Sequence, residues 1–436
     1  MAALPPGADR GDKRFSGRSH FSDEGRICVA GSKRRALWSR SIRLSSRLHD
    51  AAMNPIFSAL QTSVFEVMSR LANEHRAVNL GQGFPDDPGP EDVRRKAADA
   101  VMGGWNQYPP MMGLPELRKA TATHFKHWQG LDLDPDTEVM VTSGATEAIA
   151  GALMALVSPG DEVVLFEPMY DAYVPLVRRA GGIPKFVTLK PPHFGLSEEA
   201  LAQAFSPKTR VVLFNNPLNP TATIFSDADL DLLADFCRRH DAVAICDEVW
   251  EHVVFDGHRH RPLMSRPGMR ERTVKISSAG KIFSLTGWKV GMVMAAPELM
   301  RVLAKAHQYI TFTTPPNLQA AVAYGLGKED GYFEGVRADF QRSRDRFAKG
   351  LTDLGYSVLP SKGTYFLNVD IAPLGENDDV AWCQRLVTEN GVAAIPVSAF
   401  YAEGAVRNVV RFCFAKHDAT LDSALERLAS ADLAQA

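Results

Sequence analysis

The sequence of 436 residues contains no apolar run approaching the roughly 18 residues that a membrane-spanning helix requires, so no span is expected. It also lacks net charge. The formal value is −2, and that small figure conceals an asymmetry: residues 1–52 hold 11 Lys+Arg against 5 Asp+Glu, net +6, and residues 53–436 hold 38 against 46, net −8. The main body therefore offers no general basic field for nucleic acid, and no nucleic-acid partner is expected. Cysteine is scarce: Cys28, Cys237, Cys246, Cys383 and Cys413 are odd in number and widely spaced. That spacing suits reduced thiols in a cytosolic-type compartment and has no metal-ligand pattern, so a cytoplasmic protein without a structural metal is expected. What remains is ordinary globular composition, 45% apolar and 23% charged, in a chain long enough for a large core and two domains.

Residues 1–52 differ from the rest. Segments such as "GSKRRALWSRSIRLSSRLHD" are rich in Arg and Ser and have little apolar periodicity. The composition is that of an organelle transit peptide, but five acidic residues spoil the pattern. The expectation is a disordered basic extension, with Met53 as an alternative start. It is also too short and aperiodic for the helix-turn-helix that a DNA-binding fusion would need.

From Asn54 onward, amphipathic helical stretches such as "PIFSALQTSVFEVMSRLANEH" and "LPELRKATATHFKHW" alternate with short β-rich runs. The runs are "EVMVTSG" (138–144), "DEVVLFEP" (161–168), "TRVVLFNNP" (209–217), "AVAICDE" (242–248) and "TVKISSAGK" (273–281). Apolar on both faces and bounded by Gly, Pro, Asp and Asn, they predict buried strands of a mainly parallel sheet in an α/β fold. Ligands of such sheets sit beyond the carboxyl ends of the strands.

Chemistry-bearing residues follow each run. Gly144-Ala145-Thr146 opens a helix whose free N–H groups suit a phosphate, or is simply capped by Ser143 or Thr146. Tyr170 follows the second run, and the double Asn-Pro around Asn219 follows the third as a turn that could present amides. Asp247 leaves the fourth, either as a paired buried carboxylate or as a helix cap. Lys281 leaves the fifth, set among small residues in Ser-Ser-Ala-Gly-Lys, where something flat could approach it closely.

In this order the set resembles the site of fold-type I, class I/II aminotransferases, in the group of kynurenine aminotransferases, glutamine transaminase K and bacterial methionine aminotransferases. The resemblance is carried by "LGQGFPDDPGP" (80–90), "NQY" (106–108), "NPLNP" (216–220), "CDEVWEHVVFDG" (246–257), "SSAGKIFSLTGWKVG" (277–291), "IPVSAFY" (395–401) and "VRFCFAK" (410–416), over about residues 54–430. It implies pyridoxal 5′-phosphate bound as an imine on Lys281, which also moves the substrate proton. It implies Asp247 at the pyridine nitrogen, Asn219 at the ring oxygen and Tyr170 on the ring face. The phosphate falls to Ala145, Thr146, Ser278, Lys289 and Tyr108 of the partner subunit, in a homodimer with shared sites. Arg411 takes the substrate carboxylate as a planar fork, with the Gly83 backbone beside it. Phe65, Phe84 and Phe312 of the partner subunit line the side-chain pocket.

Two positions depart from the family pattern. Lys289 stands where many relatives have Arg, a point charge in place of a fork. Trp250 stands where relatives usually have Tyr, so a group that only donates replaces one that also accepts. The implied architecture is a large domain, 95–325, and a smaller α+β domain from 54–94 and 326–436. The implied reaction is ping-pong transfer from an amino acid to a 2-oxo acid. With no second arginine assignable to a side-chain carboxylate, methionine, glutamine, kynurenine or aromatic donors are expected; β-elimination from cysteine conjugates is the alternative.

Overall fold

A computed structural model describes residues 53–104 and 106–429; the basic segment 1–52, with its expected disorder, lies outside the described residues. The chain divides into two compact units, Met1–Ser58 and Ala59–Ala436. In the first, Pro55–Ser58 forms a single helical turn. The rest of this description concerns the second.

Its strands in chain order are β1 (Val78–Asn79), β2 (Val139–Thr142), β3 (Glu162–Glu167), β4 (Ile183–Thr188), β5 (Thr209–Asn215), β6 (Val243–Asp247), β7 (Thr273–Ser278), β8 (Gly291–Met294), β9 (Ser357–Val358), β10 (Phe366–Asp370), β11 (Val392–Ala393), β12 (Ile395–Pro396) and β13 (Val409–Cys413). Seven form one sheet in the order β2-β8-β7-β6-β5-β3-β4. The five runs anticipated as strands are β2, β3, β5, β6 and β7. Their double-sided apolar character has a direct cause. On β3, Val163 and Leu165 face one helical layer while Val164 and Phe166 face the other, and Val211/Leu213 and Val212/Phe214 do the same on β5. Ala145–Leu156 and Pro297–Ile310 cover the first face; Glu198–Ala204 and Asp227–Arg239 cover the second. Each fully buried Val, Leu, Ile or Phe contributes about 1.5–3 kcal/mol to holding these layers together.

Two strands of this sheet have weaker local signals. β4 is a partly exposed edge carrying Pro184 and Lys185, both typical of edges. β8 runs antiparallel to β7 and β2, because the chain returns directly through 279–290 without crossing the sheet. All other pairs are parallel.

A four-stranded antiparallel sheet, β12-β13-β10-β9, has its own core of Leu367, Val369, Val410, Phe412 and neighbouring helical residues such as Phe347 and Leu421. β1 and β11 pair in parallel beside it. The stretch read as one helix from residue 55 is interrupted: Ser63 is extended, its hydroxyl accepts from the Glu66 N–H, and a new helix, Val64–Glu74, starts there. Pro115–Gln129 matches its sequence pattern, with Pro at the first position and Gly130 left-handed at the end.

Candidate active site

The carboxyl ends of the parallel strands converge on a cavity of 350 Å³. Register explains the convergence: Asn215 at the end of β5 pairs with Asp247 at the end of β6, and Asp247 pairs with Ile276 of β7. The segment after β7 turns into a short helix, Ala279–Ile282, that carries Lys281.

The helix after β2 begins at Ala145 with Gly144 as its cap residue and no side-chain cap. Gly144 has φ +83°, which favours glycine, and a Cβ there would lie 3.2 Å from Lys289 Cε. Ser143 bonds Thr314 instead of the helix end, so the plain-cap reading of this motif does not hold. An uncapped helix start, Ala145, Thr146, Ser278 and Lys289 thus border the same cavity, an arrangement that suits an anion.

Asp247 is buried, and one oxygen accepts a 2.6 Å hydrogen bond from the Tyr173 hydroxyl. Its other oxygen, Oδ1, is buried without a partner. Burial raises its carboxyl above the ordinary range, opposed by the Tyr173 bond and Lys281. An orphaned carboxylate oxygen at a cavity wall suits a ligand that brings a donor. A pyridinium N–H fits it.

Protein crowds the Lys281 amine although the residue borders the cavity. Desolvation, with Arg411 and Lys289 contributing, pulls its pKa down to about 8 against the opposing pull of Asp247. The amine donates to the Tyr365 hydroxyl at 3.0 Å and lies 4.6 Å from the Trp250 ring centroid.

Arg411 on β13 is 1% exposed. One arm donates to Asn219 Oδ1 at 2.8 Å and another to the Gly81 carbonyl at 3.1 Å; Nε is buried without a partner. Its guanidinium stacks on Phe366 at 3.9 Å, flanked by Phe400 and Phe65. No described carboxylate forms an ion pair with it, so a surface ion-pair role does not hold. Desolvation lowers its pKa to about 10, which leaves it charged at neutral pH.

Thus Phe65, Gly83, Ala145, Thr146, Tyr170, Asn219, Asp247, Trp250, Ser278, Lys281, Lys289 and Arg411 line one cavity. Phe84, expected in the same cavity, does not; Tyr108 and Phe312, expected to act in the partner subunit's site, do not line this one either. Phe84 is exposed and lies over the Lys416 ammonium, which donates to the Phe84 carbonyl; that contact holds its ring away from the pocket. Tyr108 and Phe312 pack edge to face at 5.6 Å, with Tyr108 80% exposed. Sequence reasoning missed Tyr173, Tyr365 and Phe366. Tyr173 had a signal, since "EPMYDAY" holds a second tyrosine three residues after Tyr170.

The profile of the family described as "Aminotransferase class I and II" matches residues 75–428. The chain belongs to that family. This aminotransferase is 42% identical over 369 residues to the methionine aminotransferase of Escherichia coli, covering 85% of this chain and 96% of that one. It is 38% identical over 393 residues to human kynurenine–oxoglutarate transaminase 1, with 82% and 93% covered. The solved structure of N-succinyldiaminopimelate aminotransferase from Mycobacterium tuberculosis is similar with a TM-score of 0.84 at 46% identity, covering 87% of this chain and 99% of that one. The aminotransferase has the fold-type I architecture. Among its described residues no helix is long and apolar enough to cross a membrane.

Proposed function

We propose that this aminotransferase uses pyridoxal 5′-phosphate to move the amino group of an α-amino acid with an uncharged side chain, of the methionine, glutamine, kynurenine or aromatic type, to a 2-oxo acid that occupies the same cavity in turn. The observation that carries this reading is Arg411: a buried guanidinium with no carboxylate partner needs an anion, and a bidentate carboxylate supplies one.

The residues fit the cofactor. Lys289, Ser278, Ala145 and Thr146 would hold its phosphate, Asp247 Oδ1 its ring nitrogen and Tyr170 its ring face. When bound, the cofactor supplies an aldehyde that bonds amines and a ring that accepts the electron pair released at the substrate Cα. Asn219 Oδ1 is engaged by Arg411, so its NH₂ end is the one left to donate to the ring oxygen. Lys281 moves the Cα proton, a task suited to an amine whose pKa of about 8 lies close to neutral. Arg411 orients the carboxylate and so fixes Cα relative to that amine.

The cavity's aromatic lining includes Phe65, Trp250 and Phe366, and its cations are Lys281, Lys289 and Arg411, all assigned above. That lining supports an uncharged donor. The relatives named above are all aminotransferases and lend no support to a lyase. The exposed Tyr108–Phe312 pair supports a homodimer that completes each phosphate site from the partner. The core of the four-stranded sheet, built on Leu367, Val410, Phe412 and helical Phe347 and Leu421, supports a smaller domain that includes 326–436. The four described cysteines are buried and unpaired, in keeping with a reducing cytoplasm.

The test is a panel of amino donors against one 2-oxo acid. Methionine, glutamine, kynurenine and phenylalanine should be turned over well above aspartate. A preference for donors whose side chain ends in a carboxylate would overturn the uncharged-wall reading.

A further inference from the structure

The amine of Lys281 has one hydrogen-bond partner among the described residues, and it is a tyrosine outside every motif that marks the site in sequence. Tyr365 lies in the turn before β10, 84 residues from Lys281, and is fully buried. Its own O–H donates to the Gly83 carbonyl at 2.8 Å. A phenol has one proton to give, so the bond to Gly83 turns an oxygen lone pair toward Lys281, and the phenol must accept from the amine. Burial raises the Tyr365 hydroxyl well above its ordinary range, which keeps that proton in place.

Trp250 fixes the ring. Its indole meets the Tyr365 ring edge to face at 4.4 Å and 89°, and the Lys281 amine sits 4.6 Å from the indole centroid. An indole offers no acceptor, so the acceptor for the free amine comes from Tyr365 instead. The Gly83 contact is a tight one: a Cβ on Gly83 would lie 2.8 Å from Phe366 Cζ, and Phe366 stacks on Arg411. The chain Lys281–Tyr365–Gly83 therefore links the proton-moving amine to the wall that faces the substrate carboxylate.

We propose that Tyr365 is a positioning residue for Lys281: tethered to Gly83 and clamped by Trp250, its phenol holds the free amine at one place beside the carboxylate site. The proposal rests on the assignment of Lys281 given above. Its role is confined to the intervals when the Lys281 amine is not covalently engaged. During those intervals an unheld amine on four rotatable bonds would sample positions from which it cannot reach Cα.

The test uses full-length wild type and Tyr365→Phe, with Tyr365→Met as a second variant of unrelated shape. Lys281 in the cofactor-free protein is titrated by the pH dependence of its modification by trinitrobenzenesulfonate, followed by peptide mass spectrometry. Loss of an acceptor that favours the protonated amine should move its midpoint down by about 0.5–1 pH unit in both variants. With cofactor restored, kcat should fall about 10-fold or more with every donor while KM stays within about twofold. An unmoved midpoint with unchanged kcat in either folded variant overturns the proposal. Borohydride reduction of the wild type with pyridoxal phosphate separates this failure from the larger one: an adduct on a lysine other than Lys281 overturns the site assignment itself.

Discussion

The guanidinium of Arg411 and the side chain of Asn219 meet at 2.8 Å, joining a residue of β13 to one from the turn after β5. The contact couples the carboxylate end of the cavity to the cofactor end. It orients the Asn219 amide while leaving Arg411 Nε free.

Arg411→Ala should therefore do two things. Removing one partner of a buried charged pair costs about 2–5 kcal/mol, so kcat/KM for α-amino acids should fall by roughly 30- to 4,000-fold. The cofactor should stay bound, with a small shift in its absorbance because Asn219 loses the donor that holds it. Arg411→Lys should recover only part of the activity, since an ammonium cannot make two parallel bonds. Steady-state kinetics and the visible spectrum check both. Ejection of the cofactor would refute the division of roles.

A second prediction concerns stability. Lys275 on β7 is fully buried and donates to Glu248 at 2.6 Å and to Glu251, while Ser277 also donates to Glu251 and His260 contacts Glu248 at 2.9 Å. Despite burial, the Lys275 ammonium and the hydrogen-bonded His260 imidazole hold the Glu248 carboxyl down at about 2. Lys275→Met leaves two buried carboxylates without that ammonium, and should lower stability by about 3–5 kcal/mol. Adding Glu248→Gln and Glu251→Gln should restore a large part of it. Urea denaturation of the three proteins decides; equal midpoints for Lys275→Met and wild type would overturn the reading.

Acid sensitivity follows from His124 and His252, whose Nε2 atoms lie 2.8 Å apart in a buried aromatic cluster. His124 Nδ1 bonds the Leu326 carbonyl, so the assigned tautomers have His252 donating to His124. Desolvation drops both to about 3, aided by the neighbouring His252 for His124 and by Lys275 for His252. A depressed folded pKa means stability that is full above the unfolded value near 6.5 and is lost as pH falls toward the folded one. Each histidine adds at most about 1.4 kcal/mol of loss per pH unit in that window. Denaturation midpoints at pH 7 and 5 should separate less for His252→Gln than for wild type; equal separations would refute this source of acid sensitivity.

The last prediction concerns assembly. If the exposed Tyr108–Phe312 pair is an interface and Tyr108 completes the partner's phosphate site, Tyr108→Phe should weaken cofactor affinity about tenfold, the worth of one charge-assisted hydrogen bond. Sedimentation should still show a dimer. A monomer active at full rate would sink the idea.

Much of this site was readable before folding because its chemistry is packed into short strings. Lys281, Asp247, Asn219 and Arg411 each sit in a motif of a few residues at a strand end or, for Arg411, within a strand, and apolar runs bounded by Gly, Pro and Asn placed β2, β3, β5, β6 and β7. These features depend on neighbours in the chain: both faces of a strand must be apolar when helices cover both, and a lysine in Ser-Ser-Ala-Gly-Lys needs no distant partner to be recognised. The remainder depended on contacts between remote segments. Nothing in "GTYF" distinguishes a core tyrosine from one that accepts from a lysine 84 residues away. The "TVKISS" run gives no sign that Lys275 points into a pair of carboxylates from the segment after the neighbouring strand β6. Phe84 shared a motif with Gly83, yet side-chain geometry sent its ring to Lys416 and kept Gly83 at the cavity. Local sequence determined which elements form and which residues carry the chemistry; three-dimensional packing decided their partners, because hydrogen bonds and burial depend on distance in space and not on separation along the chain.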